Sequence, residues 1–207
     1  MPDITSNDSV QVVATPSGPA RVHRSPDADG GLLVLGHGAG GGVETPDLLA
    51  VRAAAATAGW TVARVEQPYR VAGRRAPAPA GHLDAAWTAV IAELRREGGR
   101  RLVVGGRSSG ARVACRTAAA VGAEAVVCLA FPLRPPQRPE RSRADELLGV
   151  TVPLLVVQGD RGPFGRPQDL PAEVEVLAVA GDHSLRIGAE AMARAVVAWL
   201  SRLQPVA

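Results

Sequence analysis

The stretch Leu102-Val103-Val104-Gly105-Gly106-Arg107-Ser108-Ser109-Gly110 reads as a strand that turns abruptly into a helix. Its first three residues form a short apolar run of the kind buried on both faces of a parallel sheet. The glycines permit a tight turn, and residues 109–121 continue as a helix that Gly122 ends. Outward from this stretch, similar apolar runs recur at 32–35, 61–65, 125–129, 154–157 and 174–179. Helical segments lie between most of them. Thr45 and Pro46 open one that Gly59 stops, and 82–97 sets Leu83, Trp87, Val90, Ile91 and Leu94 on one face before Gly98. Residues 143–148 form a short helix, and 189–203 turns Ala191, Ala195, Val196, Trp199 and Leu203 inward. Strands alternating with helices predict an α/β fold, with a mostly parallel sheet and helices on both faces. Upstream, 10–14 and 20–24 predict a hairpin around Pro16-Ser17-Gly18. Residues 1–9 are polar and predict a disordered tail, leaving 10–207 as a single domain.

Composition narrows the function classes. A chain of 207 residues, 46% hydrophobic and 21% charged, is long enough for one sizeable core. No apolar run is long enough to span a bilayer. The opening MPDITSNDSV has neither the basic nor the apolar region of a signal peptide, so the cytoplasm is the expected compartment. The pI of about 9.6 invites a nucleic-acid reading. Yet the chain has no lysine, its arginines are scattered, its net charge is only +3 and its aromatic content of 3% offers few stacking platforms. We expect no nucleic-acid and no membrane partner. Cys115 and Cys128 sit in apolar runs and read as buried free thiols; no zinc-ligand spacing or cofactor motif is present, so no metal and no cofactor are expected.

Parallel sheets place their chemistry beyond the carboxyl ends of the strands. Gly106-Arg107-Ser108-Ser109-Gly110 matches G-x-S-x-G, the nucleophile elbow, which lifts a serine hydroxyl to the positive end of a helix. The pattern alone is weak in a chain with 23 glycines; the flanking strand and helix strengthen it. No Gly-Lys-Ser/Thr follows, which argues against a phosphate loop. The run 32–35 leads into Gly36-His37-Gly38-Ala39-Gly40-Gly41, whose backbone N–H groups could approach a ligand closely. Ala39 N–H, or Gly40 N–H in its place, would join Ser109 N–H as an oxyanion hole, while His37 is expected to brace the loop. The last run leads into Gly181-Asp182-His183-Ser184, placing His183 where a general base is needed. After 154–157, Asp160 is the available carboxylate, either the acid that orients His183 or a turn residue beside Gly159.

The stretches GHGAGG (36–41), QPYR (67–70), GGRSSGARVA (105–114), FPLRPP (131–136), VVQGDRGPFG (156–165) and GDHS (181–184) resemble the α/β-hydrolases from residue 32 onward. The resemblance is to small, lidless members similar to dienelactone hydrolases, with eukaryotic relatives that include a subunit of the NSL chromatin complex. It implies a serine hydrolase of small ester or thioester substrates, with Ser108 as nucleophile, His183 as base and no cap domain, the segment 132–151 being too short for one. It also exposes a departure. That family places its acid three residues after the glycine, which here is Gly162. Asp160 lies two residues earlier, about 6.6 Å along an extended strand. Asp182 adjoins His183, but neighbouring side chains diverge. An oriented triad, a weakened enzyme and an inactive binding or scaffold protein all remain open from sequence.

Overall fold

The computed structural model describes residues 7–96, 98 and 100–203. Eight strands form one sheet in the order β1-β2-β4-β3-β5-β6-β7-β8. They are β1 (Ser9–Val13), β2 (Ala20–Arg24), β3 (Leu32–Gly36), β4 (Thr61–Glu66), β5 (Leu102–Arg107), β6 (Ala125–Leu129), β7 (Leu154–Gly159) and β8 (Glu175–Val179). Only β2 runs against its neighbours; β3 to β8 are parallel. The helices are α1 (Pro46–Thr57), α2 (Pro68–Val71), α3 (Ala80–Leu94), α4 (Ser109–Thr117), α5 (Ala144–Leu148) and α6 (Ala189–Arg202). No cap domain interrupts them.

The side chains of the central strands alternate between two cores. Val34, Val104 and Val126 pack with Leu83, Trp87, Val90 and Ile91 of α3 and with Val113 of α4. Leu33, Leu35, Val103 and Val127 pack on the other face with Leu48 and Val51 of α1 and with Met192, Val196 and Trp199 of α6. This double burial is why the central strands are unbroken apolar runs. Two of the glycines predicted to stop helices, Gly59 and Gly122, do so with paired closing bonds: Trp60 N–H reaches Ala55 O and Gly59 N–H reaches Ala56 O, with Gly59 at φ +84°. Ala123, Gly122, Ala118 and Ala119 repeat the arrangement after α4, whose regular part ends at Thr117 rather than 121.

Other boundaries shift. α3 starts at Ala80, two residues before the predicted 82, and ends at Leu94; its predicted end at 97 lies outside the described residues. The short α2 and the 3-10 turn Pro167–Asp169 carry no periodic pattern and are not legible in sequence. The tail reading fails at its inner end. Ser9 opens β1, and the Asp8 carboxylate is buried between Arg52 and Arg64, the latter at 2.9 Å. Residues 1–6 lie outside the described residues. Among the described residues no helix is long and apolar enough to cross a membrane, and no cluster of three metal-ligating side chains occurs. Cys115 and Cys128 are buried free thiols with sulfurs 3.4 Å apart.

Candidate active site

The carboxyl ends of β3, β5, β7 and β8 bring the singled-out residues together. Ser108 follows β5 with φ 51° and ψ −105°, a conformation that costs a non-glycine residue about 1–3 kcal/mol. The strain is held by packing against β3. A Cβ on Gly110 would lie 2.9 Å from Gly36 Cα, and one on Gly106 would lie 2.8 Å from Gly36 N, so strand and helix approach too closely for any side chain. Ser108 N–H is tied to Leu129 O at 2.9 Å. The hydroxyl therefore stands at the start of α4, where free N–H groups favour negative charge. Among the described residues neither Ser109 N–H nor Ala39 N–H donates a hydrogen bond.

His37 braces the loop after β3. It is 2% exposed, and its Nε2 accepts the Gln67 N–H at 3.1 Å. Nδ1 must then carry the proton, which it donates to Gly38 O at 2.8 Å. Burial pushes its pKa down, so the ring stays neutral. The Tyr69 hydroxyl donates to Ala39 O at 3.1 Å, fixing the peptide from the other side.

His183 Nε2 lies 3.0 Å from Ser108 Oγ. The loop that carries it is set by Asp182, whose Oδ1 accepts Ser184 N–H at 2.8 Å, and by Leu185, buried to 1% in the α1/α6 core at φ +50°. Phe164 lies over the imidazole with centroids 4.2 Å apart and planes 30° apart. The ring is thus oriented by packing. Its pKa is lowered to about 4, chiefly by burial, then by the Arg107 guanidinium, against an opposing pull from Asp182. The His183 imidazole is therefore neutral at neutral pH.

Asp160 does not join it. The β7–β8 pairing continues past the strands, with Asp160 N–H on Val179 O and Arg161 N–H on Gly181 O, both at 2.9 Å. The chain stays extended, so the Asp160 carboxylate accepts Gly181 N–H at 2.8 Å and faces Arg161 at 3.5 Å. Its turn role displaces the orienting role offered by the sequence. His183 Nδ1 is buried and has no hydrogen-bond partner among the described residues. The position that does meet the histidine is Gly162, where a Cβ would lie 3.5 Å from His183 N and 3.9 Å from His183 Cβ. The structure therefore contains a serine–histidine pair with no carboxylate on the outer nitrogen.

The role of Arg107 is not legible in the sequence, although the residue sits inside the motif. Its Nη2 donates to His183 O at 3.1 Å, and its Nε lies 2.9 Å from Asp47 Oδ2, a carboxylate with no exposure. Asp47 comes from the first turn of α1, sixty positions away, and no local pattern could have joined the two.

The model of the α/β-hydrolase domain family matches residues 29–195. No curated protein matches the sequence. Among solved structures, a lidless α/β serine hydrolase from Xanthomonas campestris is similar with a TM-score of 0.76 at 21% identity, over 98% of this chain and 97% of that one. Est1E from Butyrivibrio proteoclasticus gives 0.74 at 15% identity, over 94% and 98%. The Pyrococcus furiosus esterase Pf2001 gives 0.79 at 15%, over 97% and 94%. At these identities the likeness speaks for the fold alone. The family match spans most of the chain and includes both strand ends that carry Ser108 and His183, so this protein belongs to the α/β-hydrolase domain family.

Proposed function

We propose that the protein is a serine hydrolase that cleaves small carboxylic esters or thioesters through an acyl-enzyme on Ser108. The observation that carries the reading is the 3.0 Å contact between His183 Nε2 and Ser108 Oγ. It is made at a strained turn that sets the hydroxyl at the start of α4. Ser108 attacks the carbonyl while His183 takes its proton. Ser109 N–H and Ala39 N–H, with Gly40 N–H next in line, receive the oxyanion. His183 then protonates the leaving group and activates the water that releases the acid. The site has no lid, which suits small or surface-presented acyl groups. Pf2001 is called an esterase, which agrees with this substrate class.

A second reading has its own support. The unpartnered His183 Nδ1 and the glycine at 162 are what a family member would show after losing turnover while keeping the fold as a binding or scaffold protein. Yet a triad without its acid keeps part of its rate through the serine, the histidine and the oxyanion hole. Hydrolysis of p-nitrophenyl acetate and butyrate decides between them. Slow turnover that disappears in Ser108→Ala supports the hydrolase. Turnover equal in wild type and Ser108→Ala supports the scaffold.

A further inference from the structure

Arg107 touches each of the parts that the chemistry needs. It is the residue immediately before Ser108, so its main chain belongs to the elbow. Its Nη2 donates to the main-chain oxygen of His183 at 3.1 Å. Its Nη1 lies against the loop after β3, at 2.8 Å from where a Gly38 Cβ would sit. Its Nε lies 2.9 Å from Asp47 Oδ2 at the start of α1. The guanidinium side chain is only 16% exposed and Asp47 not at all. One planar group thus touches elbow, oxyanion loop and base loop, and a buried carboxylate lies against it.

The bland explanation is a structural ion pair, and its energetics argue against that as the whole account. A buried pair contributes little net stability compared with a well-packed apolar pair, because both charges lose their hydration. Here the pairing is not even well made: neither Asp47 oxygen nor Arg107 Nε meets hydrogen-bond geometry despite the short separation. Among the described residues, the one aligned bond in the group goes to His183 O. In a triad the carboxylate orients the base from its outer nitrogen. In this protein that nitrogen is bare, and the base loop is instead gripped through its main chain.

We propose that Arg107, seated by Asp47, is the positioning residue for His183 and takes over the anchoring that a triad carboxylate would provide. The inference rests on the serine–histidine pair of the proposed hydrolase. Its electrostatic cost is built in. A cation beside the imidazole disfavours the imidazolium that forms during attack, which keeps His183 a ready but weak base. The charged groups around the ring are Arg107 from β5, with Asp47 of α1 behind it, and Asp182 on its own loop. Asp160 and Arg161, from the segment after β7, bond to the loop's first residues.

The test uses the full chain with two sets of changes. Arg107→Lys keeps the charge and loses the fork. Arg107→Gln/Asp47→Asn removes both charges without leaving an unpaired one. In each, the rate of fluorophosphonate labelling at Ser108 and the His183 titration midpoint, read from its ring-proton NMR resonance, are measured beside the thermal midpoint. The proposal expects labelling to slow tenfold or more in both. It expects the His183 midpoint to rise by about a unit or more in the double variant and to stay within about half a unit in Arg107→Lys. A lowered thermal midpoint with unchanged labelling rate and unchanged His183 titration would leave Arg107 a structural residue and overturn the proposal. If the wild type itself does not label, the hydrolase reading fails. The titration still decides whether Arg107 governs His183, and an unmoved midpoint refutes it.

Discussion

Gly162→Asp should convert the serine–histidine pair into a full triad. A Cβ at this position would stand 3.9 Å from His183 Cβ, and a carboxylate one bond further on is expected to bond the outer nitrogen of the ring. That nitrogen is buried and unpartnered, a deficit of about 1–3 kcal/mol in a folded protein. The backbone at 162 has φ +157°, so an aspartate there also carries strain of about 1–3 kcal/mol. The two effects roughly cancel in stability, and the thermal midpoint should move by only a few degrees. The kinetic effect is larger. Removing the carboxylate from an established triad lowers kcat by about 10⁴-fold; installing it in a loop that lacks it should recover less, about 10²-fold. The sign in pH follows from the charge. The His183 pKa of about 4 must rise, so the acid limb of kcat/KM moves upward and the gain is greatest near neutrality. Gly162→Asn supplies the shape without the charge and should give little of the gain. Turnover of p-nitrophenyl acetate from pH 4 to 9 is the assay. A folded Gly162→Asp protein with unchanged rate and unchanged acid limb would refute the idea that His183 lacks only its carboxylate.

Phe164→Ala removes the ring stacked on His183. An aromatic contact of this kind contributes about 0.5–1.5 kcal/mol, so fluorophosphonate labelling should slow by about 2- to 10-fold with the fold intact by circular dichroism. Gly110→Ala drives a methyl into the Gly36 backbone at 2.9 Å and should cost about 3 kcal/mol or more, seen as a large drop in denaturant midpoint. Stability should also fall with acidification. His183 binds its proton less readily folded than unfolded, so its contribution is whole above pH 6.5 and is lost as pH falls toward 4. The loss amounts to about 3 kcal/mol, with buried His37 acting in the same direction. Urea titrations at pH 7 and pH 4.5 measure it, and His183→Gln should flatten the difference.

Much of the fold was legible because the central strands are buried on both faces and the helices on one. Runs such as Leu32-Leu33-Val34-Leu35 and the one-sided pattern from Leu83 to Leu94 state this directly. Gly59 and Gly122 announced their helix ends because only a left-handed residue closes those turns without strain. Ser108 and His183 could be singled out because each follows a strand. Asp160 was harder. Whether a residue just beyond a strand turns away depends on how far the pairing continues, and here β7 and β8 stay paired for two more residues. The seat of Arg107 on Asp47 and the stacking of Phe164 on His183 depend on distant segments meeting in space. No period or spacing encodes them. Asp8 shows the same limit, a polar residue near the chain's start that two arginines bury.

In the proposed function, Ser108 is a nucleophile activated by a histidine that lacks a carboxylate partner. Treating the folded protein with a fluorophosphonate and mapping the adduct by peptide mass spectrometry tests it most directly. A single adduct on Ser108 is expected, formed slowly, nearly abolished in His183→Ala and absent in Ser108→Ala. No adduct on Ser108 in folded wild-type protein, or equal labelling with and without His183, would contradict it.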